Sequence, residues 1–127
     1  MLIPHLKMMN APTRLIQAGE TVIEEGTPGK DAYVLQEGEV IVEMAGKELA
    51  SVNDRGTIFG EMSALMNRNR STTVTTTKDS SFFVIDDIVE FLGKNPELSV
   101  QLLRLMAERI DKMNHLITDK RRWWYFF

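Results

Sequence analysis

A chain of 127 residues has the length of one ordinary domain, so whatever it does must rest on a single hydrophobic core. The composition, 43% hydrophobic and 26% charged, is that of a globular chain rather than a disordered one, and a net charge of −3 speaks against the diffuse basic field of a dedicated nucleic-acid binder. No cysteine is present, which removes disulfides, thiol nucleophiles and iron–sulfur clusters, and His5 and His115 can offer a metal at most two imidazoles. No apolar run is long enough to span a bilayer and no signal core follows the amino terminus, so a cytoplasmic location is expected and membrane association is not.

The first ten residues carry Leu2, Ile3, Leu6, Met8 and Met9, with Pro4 in a position that a first helical turn tolerates, and predict a short helix. From 13 to 85 the texture changes to short runs of Val, Ile, Thr, Tyr and Phe separated by Gly and Pro. Strands are predicted over 14–17, 21–24, 32–36, 39–44, 48–52, 71–77 and 81–85, a series that points to a sandwich or barrel. Residues 59–67 break the alternation and predict a short helix inside that series. Asp86 is the expected cap of a helix through Leu92, which Gly93 and Pro96 end.

A second carboxyl-terminal helix begins at Pro96. On it Leu103, Met106, Ile110, Met113 and Ile117 step by three and four, the spacing of a helix-pairing seam, and Trp124 lies one heptad further on. Leu98, Leu102, Leu105 and Leu116 form a second apolar flank suited to packing on the strands. A single helix lying on a barrel shows the same spacing, so both a two-fold dimer and simple docking account for the seam. The chain ends in Lys120-Arg121-Arg122 followed by Trp123, Trp124, Tyr125, Phe126 and Phe127. Aromatics of that number need a surface, which is the domain, a dimer mate, a bound ligand or a membrane.

The chemistry concentrates in one stretch, Phe59-Gly60-Glu61-Met62-Ser63-Ala64-Leu65 running on to Arg70-Ser71-Thr72-Thr73-Val74. Gly60 lets the backbone approach a ligand closely, and a helix starting there leaves amide N–H groups without intrahelical acceptors. Those donors suit a phosphate, and Arg70, arriving on the next strand, can hold its oxygens with a planar fork. Glu61 cannot hold an anion but suits a sugar hydroxyl. Read without that setting, Arg70 is an exposed strand arginine paired with a surface carboxylate such as Asp54 or Glu61; Arg68 is a solvated flank, His5 a surface residue and His115 a helix-surface or seam-flank residue.

The same stretch resembles the phosphate-binding cassette of cyclic-nucleotide-binding domains, with Glu61 and Arg70 at a spacing found in that family. Upstream, Gly19-Glu20, Glu25-Gly26, Gly29-Lys30-Asp31, Tyr33-Val34-Leu35 and Gly38 resemble the turns and strands that open its β-roll. The resemblance covers about 13–114. It implies a mainly β, jelly-roll-like β-roll over about 13–85, a cassette helix inside it, carboxyl-terminal helices over about 86–122 and an aromatic tail over 123–127.

It further implies that Arg70 pairs with the cyclic phosphate, that Glu61 accepts from the ribose 2′-OH and that Phe59, Gly60, Met62 and Ser63 line the pocket. Val42 and Val74 supply apolar wall, and Ser71 or Thr72 touches the phosphate or the base. Many members of the family carry Ala where Ser71 and Thr72 stand, which leaves base preference open; cyclic AMP is favoured over cyclic GMP. A residue of the carboxyl-terminal helix or tail usually closes over the base, and the candidates are Asp111, Lys112, His115, Trp123 and Trp124. No cofactor or metal is expected.

The expected function is that of a regulatory sensor that acts by moving its carboxyl-terminal helix. A barrel metalloenzyme is not expected, because 13–85 contains no histidine. No DNA-reading motif follows the long helix in this sequence, so the effect is expected to pass through another chain, or the chain is part of something longer. The other reading is a ligand-free structural or dimerisation module that keeps the roll.

Overall fold

The computed structural model describes residues 2–116, without the side chains of Met113 and Leu116. Helix α1 (Leu2–Met8) leads into strands β1 (Thr13–Ile16), β2 (Thr21–Ile23), β3 (Ala32–Glu37), β4 (Val40–Met44), β5 (Lys47–Val52) and β6 (Ile58–Phe59). Helix α2 (Glu61–Leu65) follows, then β7 (Thr73–Thr76), β8 (Ser80–Ile85), α3 (Ile88–Lys94) and α4 (Pro96–Leu116). The strands form two antiparallel four-stranded sheets, ordered β1-β8-β3-β6 and β2-β7-β4-β5. This is the expected β-roll with helices at its two ends.

Strand alternation decides what each face of the first sheet meets. Along β3, Tyr33 and Leu35 point into a core shared with the second sheet, together with Val40, Val42, Val74 and Phe82. Ala32 and Val34 point the other way, into a core with Leu2, Ile3 and Leu6 of α1, Ile88 of α3, and Leu98 and Leu102 of α4. Burial of four consecutive β3 residues is therefore the mark of a strand covered on both faces. The same contacts fix α1 and the first two turns of α4 against the roll, so only the later part of α4 projects over the site.

Several expectations change in detail. Phe59, expected to open a helix, lies in β6, where it pairs with Tyr33 while Ile58 pairs with Val34. A two-residue strand has no alternation to read, and only its partner makes it a strand. Helix α2 is correspondingly shorter than 59–67, ending where Asn67 takes a left-handed φ of 52° and the amides of Met66, Asn67 and Arg68 turn back onto the last carbonyls. Ser71 and Thr72 precede β7, and Arg70 sits in the connection rather than on a strand. Asp87, not Asp86, caps α3 by accepting from the Glu90 amide at 3.1 Å, and that helix continues through Gly93 to Lys94.

On α4 the two expected flanks separate. Leu98 and Leu102 are buried, whereas Leu103 and Ile110 are 65% and 58% exposed and Met106 is half-buried. The Met113 side chain, Ile117, Trp123 and Trp124 lie outside the described residues. His5 is not a surface residue: it is half-buried on α1, with its Nδ1 3.3 Å from the Gln101 amide nitrogen of α4.

Candidate functional site

A cavity of about 640 Å³ opens between the second sheet, α2 and α4. That volume lies in the ordinary range for a site that encloses a small organic ligand. Every residue expected in the cassette borders it: Phe59, Gly60, Glu61, Met62, Ser63, Arg70, Ser71 and Thr72, with Val42 and Val74 as apolar wall. Phe59 and Thr72 are buried, and Ser71 is half-buried.

The chain reaches α2 through Gly60, whose φ of 93° lies in the left-handed region. A side chain there is also blocked, since a Cβ would stand 2.7 Å from Arg70 Nη1 and 2.9 Å from the Asp31 carbonyl oxygen. Gly29 serves the same end, because a Cβ would sit 2.5 Å from Arg70 Nη2, so the guanidinium packs flat against bare backbone. The start of α2 has no side-chain cap, so the amides of Glu61, Met62 and Ser63 precede the first intrahelical acceptor.

Arg70 is 6% exposed and held from both sides. Its Nη1 donates to the Gly60 carbonyl at 2.7 Å and the Ser63 hydroxyl at 3.0 Å, and its Nη2 to the Asp31 carbonyl at 2.8 Å and the Asp31 carboxylate at 2.6 Å. The other Asp31 oxygen accepts from the Tyr33 hydroxyl at 2.5 Å. Burial first, then that hydrogen bond and the Asp31 charge, pushes the Tyr33 hydroxyl up to about 12, so Tyr33 remains a donor across the physiological range. The carboxylate on Arg70 is therefore Asp31, neither Asp54 nor Glu61, although Asp54 borders the cavity.

Glu61 is 2% exposed, and a buried carboxylate requires a cationic partner. The partner is Arg109 of α4, whose Nη1 donates to Oε1 at 2.5 Å. That ion pair ties the projecting part of α4 to the cassette. Sequence reasoning expected closure by a residue in 111–115 or by the aromatic tail, whose Trp123 and Trp124 lie outside the described residues. Lys112 does border the cavity, but Asp111 and His115 do not; they lie exposed, with His115 Nε2 3.9 Å from Asp111 Oδ1. Neither Asp31 nor Arg109 was singled out from the sequence, since Asp31 stands in a turn-like Gly-Lys-Asp stretch and Arg109 among alternating charges.

The arrangement brings together unpaired amides, a buried guanidinium, a buried carboxylate and two hydroxyls around one cavity. Comparison with known proteins gives it a family, as the model describing the cyclic nucleotide-binding domain matches residues 13–92. The chain belongs to the cyclic nucleotide-binding domain family. It is 30% identical over 107 residues to a CRP-like cAMP-activated global transcriptional regulator of Mycobacterium tuberculosis, covering 80% of this chain and 48% of that protein. It is 37% identical over 70 residues to the cGMP-dependent protein kinase egl-4 of Caenorhabditis briggsae, covering 55% of this chain and 9% of the kinase. The chain thus spans about half of the first relative and under a tenth of the second.

Among solved structures, the Thermus thermophilus catabolite activator protein superposes with a TM-score of 0.74 at 23% identity, over 91% of this chain and 57% of that one. A cyclic nucleotide-binding domain from Methylobacillus flagellatus superposes at 0.71 with 24% identity, over 85% and 66%. These likenesses bear on the fold. Among the described residues, no helix is long and apolar enough to cross a membrane.

Proposed function

We propose that this cyclic nucleotide-binding domain is a regulatory sensor that binds a cyclic purine nucleotide without chemical turnover and reports occupancy through α4. The observation that carries this is the Glu61–Arg109 ion pair, because it makes the sugar-binding carboxylate and the projecting helix parts of one contact. A ribose 2′-OH donating to Glu61 and a cyclic phosphate on the α2 amides and Arg70 act directly beside that tie. Any difference in their contacts between two positions of α4 becomes a shift in the population of those positions. Cyclic AMP is the first ligand expected, in keeping with the broad similarity to a cAMP-activated regulator; the similarity to a cGMP-dependent kinase and the hydroxyls of Ser71 and Thr72 make cyclic GMP the necessary comparison. The exposed apolar positions Leu103 and Ile110 support pairing of two copies along α4. A cytoplasmic setting, with the signal passed to a separate protein, completes the reading.

One observation favours the ligand-free structural reading: four of the five guanidinium N–H groups of Arg70 already have protein acceptors. Isothermal titration with cyclic AMP and cyclic GMP separates the two. Saturable binding that Glu61→Gln weakens supports the sensor, and no heat with either nucleotide supports the structural module.

A further inference from the structure

Opening the phosphate ring of a cyclic nucleotide with water breaks one P–O bond, frees a ribose hydroxyl and leaves a monoester on the same base and sugar. The ring carries one negative charge. The monoester carries about two at pH 8, because its second pKa lies at about 6. A site that reports the ring has to tell the two anions apart, and charge is one property that separates them.

The buried charges of this cavity cancel. Arg70 and Glu61 border it, and each is paired with a side chain of opposite sign, Asp31 and Arg109. An enclosed group of charges that sums to zero accepts one added negative charge far more readily than two, since the cost of burying uncompensated charge rises steeply with its size. Asp31 does not border the cavity; it meets Arg70 Nη2 at 2.6 Å from behind, while Tyr33 donates to its other oxygen and holds it there. Four of the five guanidinium N–H groups are committed to protein acceptors, so Arg70 serves a phosphate through its charge more than through a free pair of donors. The Asp31 carboxylate offsets that charge. An anion that reaches Arg70 from the cavity lies across one guanidinium from the carboxylate, roughly 6–7 Å away, and the repulsion between them doubles when the charge on the phosphate doubles. The other charged residues bordering the cavity, Asp54, Arg55, Arg104, Glu108 and Lys112, are exposed, where solvent screens them.

We propose that Asp31 is a specificity residue: acting through Arg70, it restricts the site to ligands with a single negative charge and turns away the doubly charged monoester that hydrolysis of the ring produces. This deepens the sensor reading of the cavity and rests on it.

The test compares two open ligands that differ in charge and little in shape. They are the 5′-monophosphate of adenosine or guanosine, whichever the full chain binds in cyclic form, and the methyl ester of that monophosphate, which keeps one negative charge. Each competes against the bound cyclic nucleotide in isothermal titration. At pH 8 the methyl ester should bind about ten-fold or more tightly than the monophosphate. Lowering the pH to 5 should close most of that gap, because the monophosphate takes up a proton and the ester does not. Asp31→Asn keeps an oxygen for Arg70 and should narrow the gap at pH 8 to about three-fold or less, whereas Asp31→Glu, which keeps the charge, should preserve it. A substitution that merely loosens the site weakens both ligands alike and leaves the gap as it was. Asp31→Ser carries the same expectation as Asp31→Asn where the amide variant does not fold. The proposal is overturned by equal affinities for the two ligands in the parent, by failure of both to compete, by a gap indifferent to pH, or by a gap that persists in a folded variant without the carboxylate. Any of these beside saturable cyclic nucleotide binding overturns this inference alone; a parent that binds neither cyclic AMP nor cyclic GMP overturns the sensor reading and this inference with it.

Discussion

The cavity wall and the outer face of α4 partition polarity in opposite senses. Inside, Arg70 and Glu61 are 6% and 2% exposed; outside, Val100, Leu103 and Ile110 are 47%, 65% and 58% exposed. A self-sufficient domain keeps its charges outside and its large aliphatic side chains inside. Buried charge is sustained by dedicated partners, Asp31 for Arg70 and Arg109 for Glu61, whereas nothing among the described residues covers the aliphatic stripe. The two inversions differ in kind: the charged one is prepaid within the chain, and the apolar one invites an outside surface.

The sharpest way to break this contrast is at Arg70. Removing a charge-assisted partner of an enclosed phosphate costs about 2–5 kcal/mol, so Arg70→Ala should weaken cyclic nucleotide binding by roughly thirty-fold to several thousand-fold, read by isothermal titration. Unaltered affinity in a folded variant would remove the cassette assignment. Glu61→Gln should weaken binding by about ten-fold to a hundred-fold, the range of a hydrogen bond to a charged group, and the loss should vanish when the 2′-deoxy nucleotide is used for both proteins.

On the apolar side, Leu103→Asp with Ile110→Asp should turn a dimer into a monomer in sedimentation velocity with nucleotide affinity retained; a parent that sediments as a monomer at all concentrations ends the idea of α4 pairing. A smaller effect is expected at Gly60. Gly60→Ala forces a side chain into left-handed backbone, at about 1–2 kcal/mol, and against Arg70, so Tm should fall by roughly 5–10 °C.

The smallest effect concerns pH. The Tyr33 hydroxyl is raised from 10.0 to about 12, so its protonated form is favoured in the folded chain. The stability this contributes is fully present below pH 10 and is lost as pH rises toward 12. Denaturant midpoints of the parent should fall across that window, and Tyr33→Phe should lack this component of the fall.

Much of the roll was legible because its strands carry local signals. The β-branched run Val40-Ile41-Val42 and the glycine punctuation between runs place elements to within a residue or two. The convergence of Gly60, Glu61 and Arg70 on one cavity was legible because they stand in one short stretch whose residue pattern resembles that of the family. The strand Ile58–Phe59 was not, since two residues have no period, and neither was the cap at Asp87, where two adjacent aspartates offer the same chemistry and only backbone geometry chooses. His5 read as a surface residue because nothing near it in sequence announces Gln101.

The succession of most strands and helices and the position of the turn at Gly60 follow from the amino-acid sequence by itself, because each rests on residue types and spacing within one segment. The tertiary structure decided which carboxylate neutralises Arg70 and which cation neutralises Glu61. Asp31 lies 39 residues from Arg70 and Arg109 lies 48 from Glu61. A charge pattern along a chain states that a buried ion must have a partner, but only the path of the backbone through space brings one particular partner within hydrogen-bonding distance.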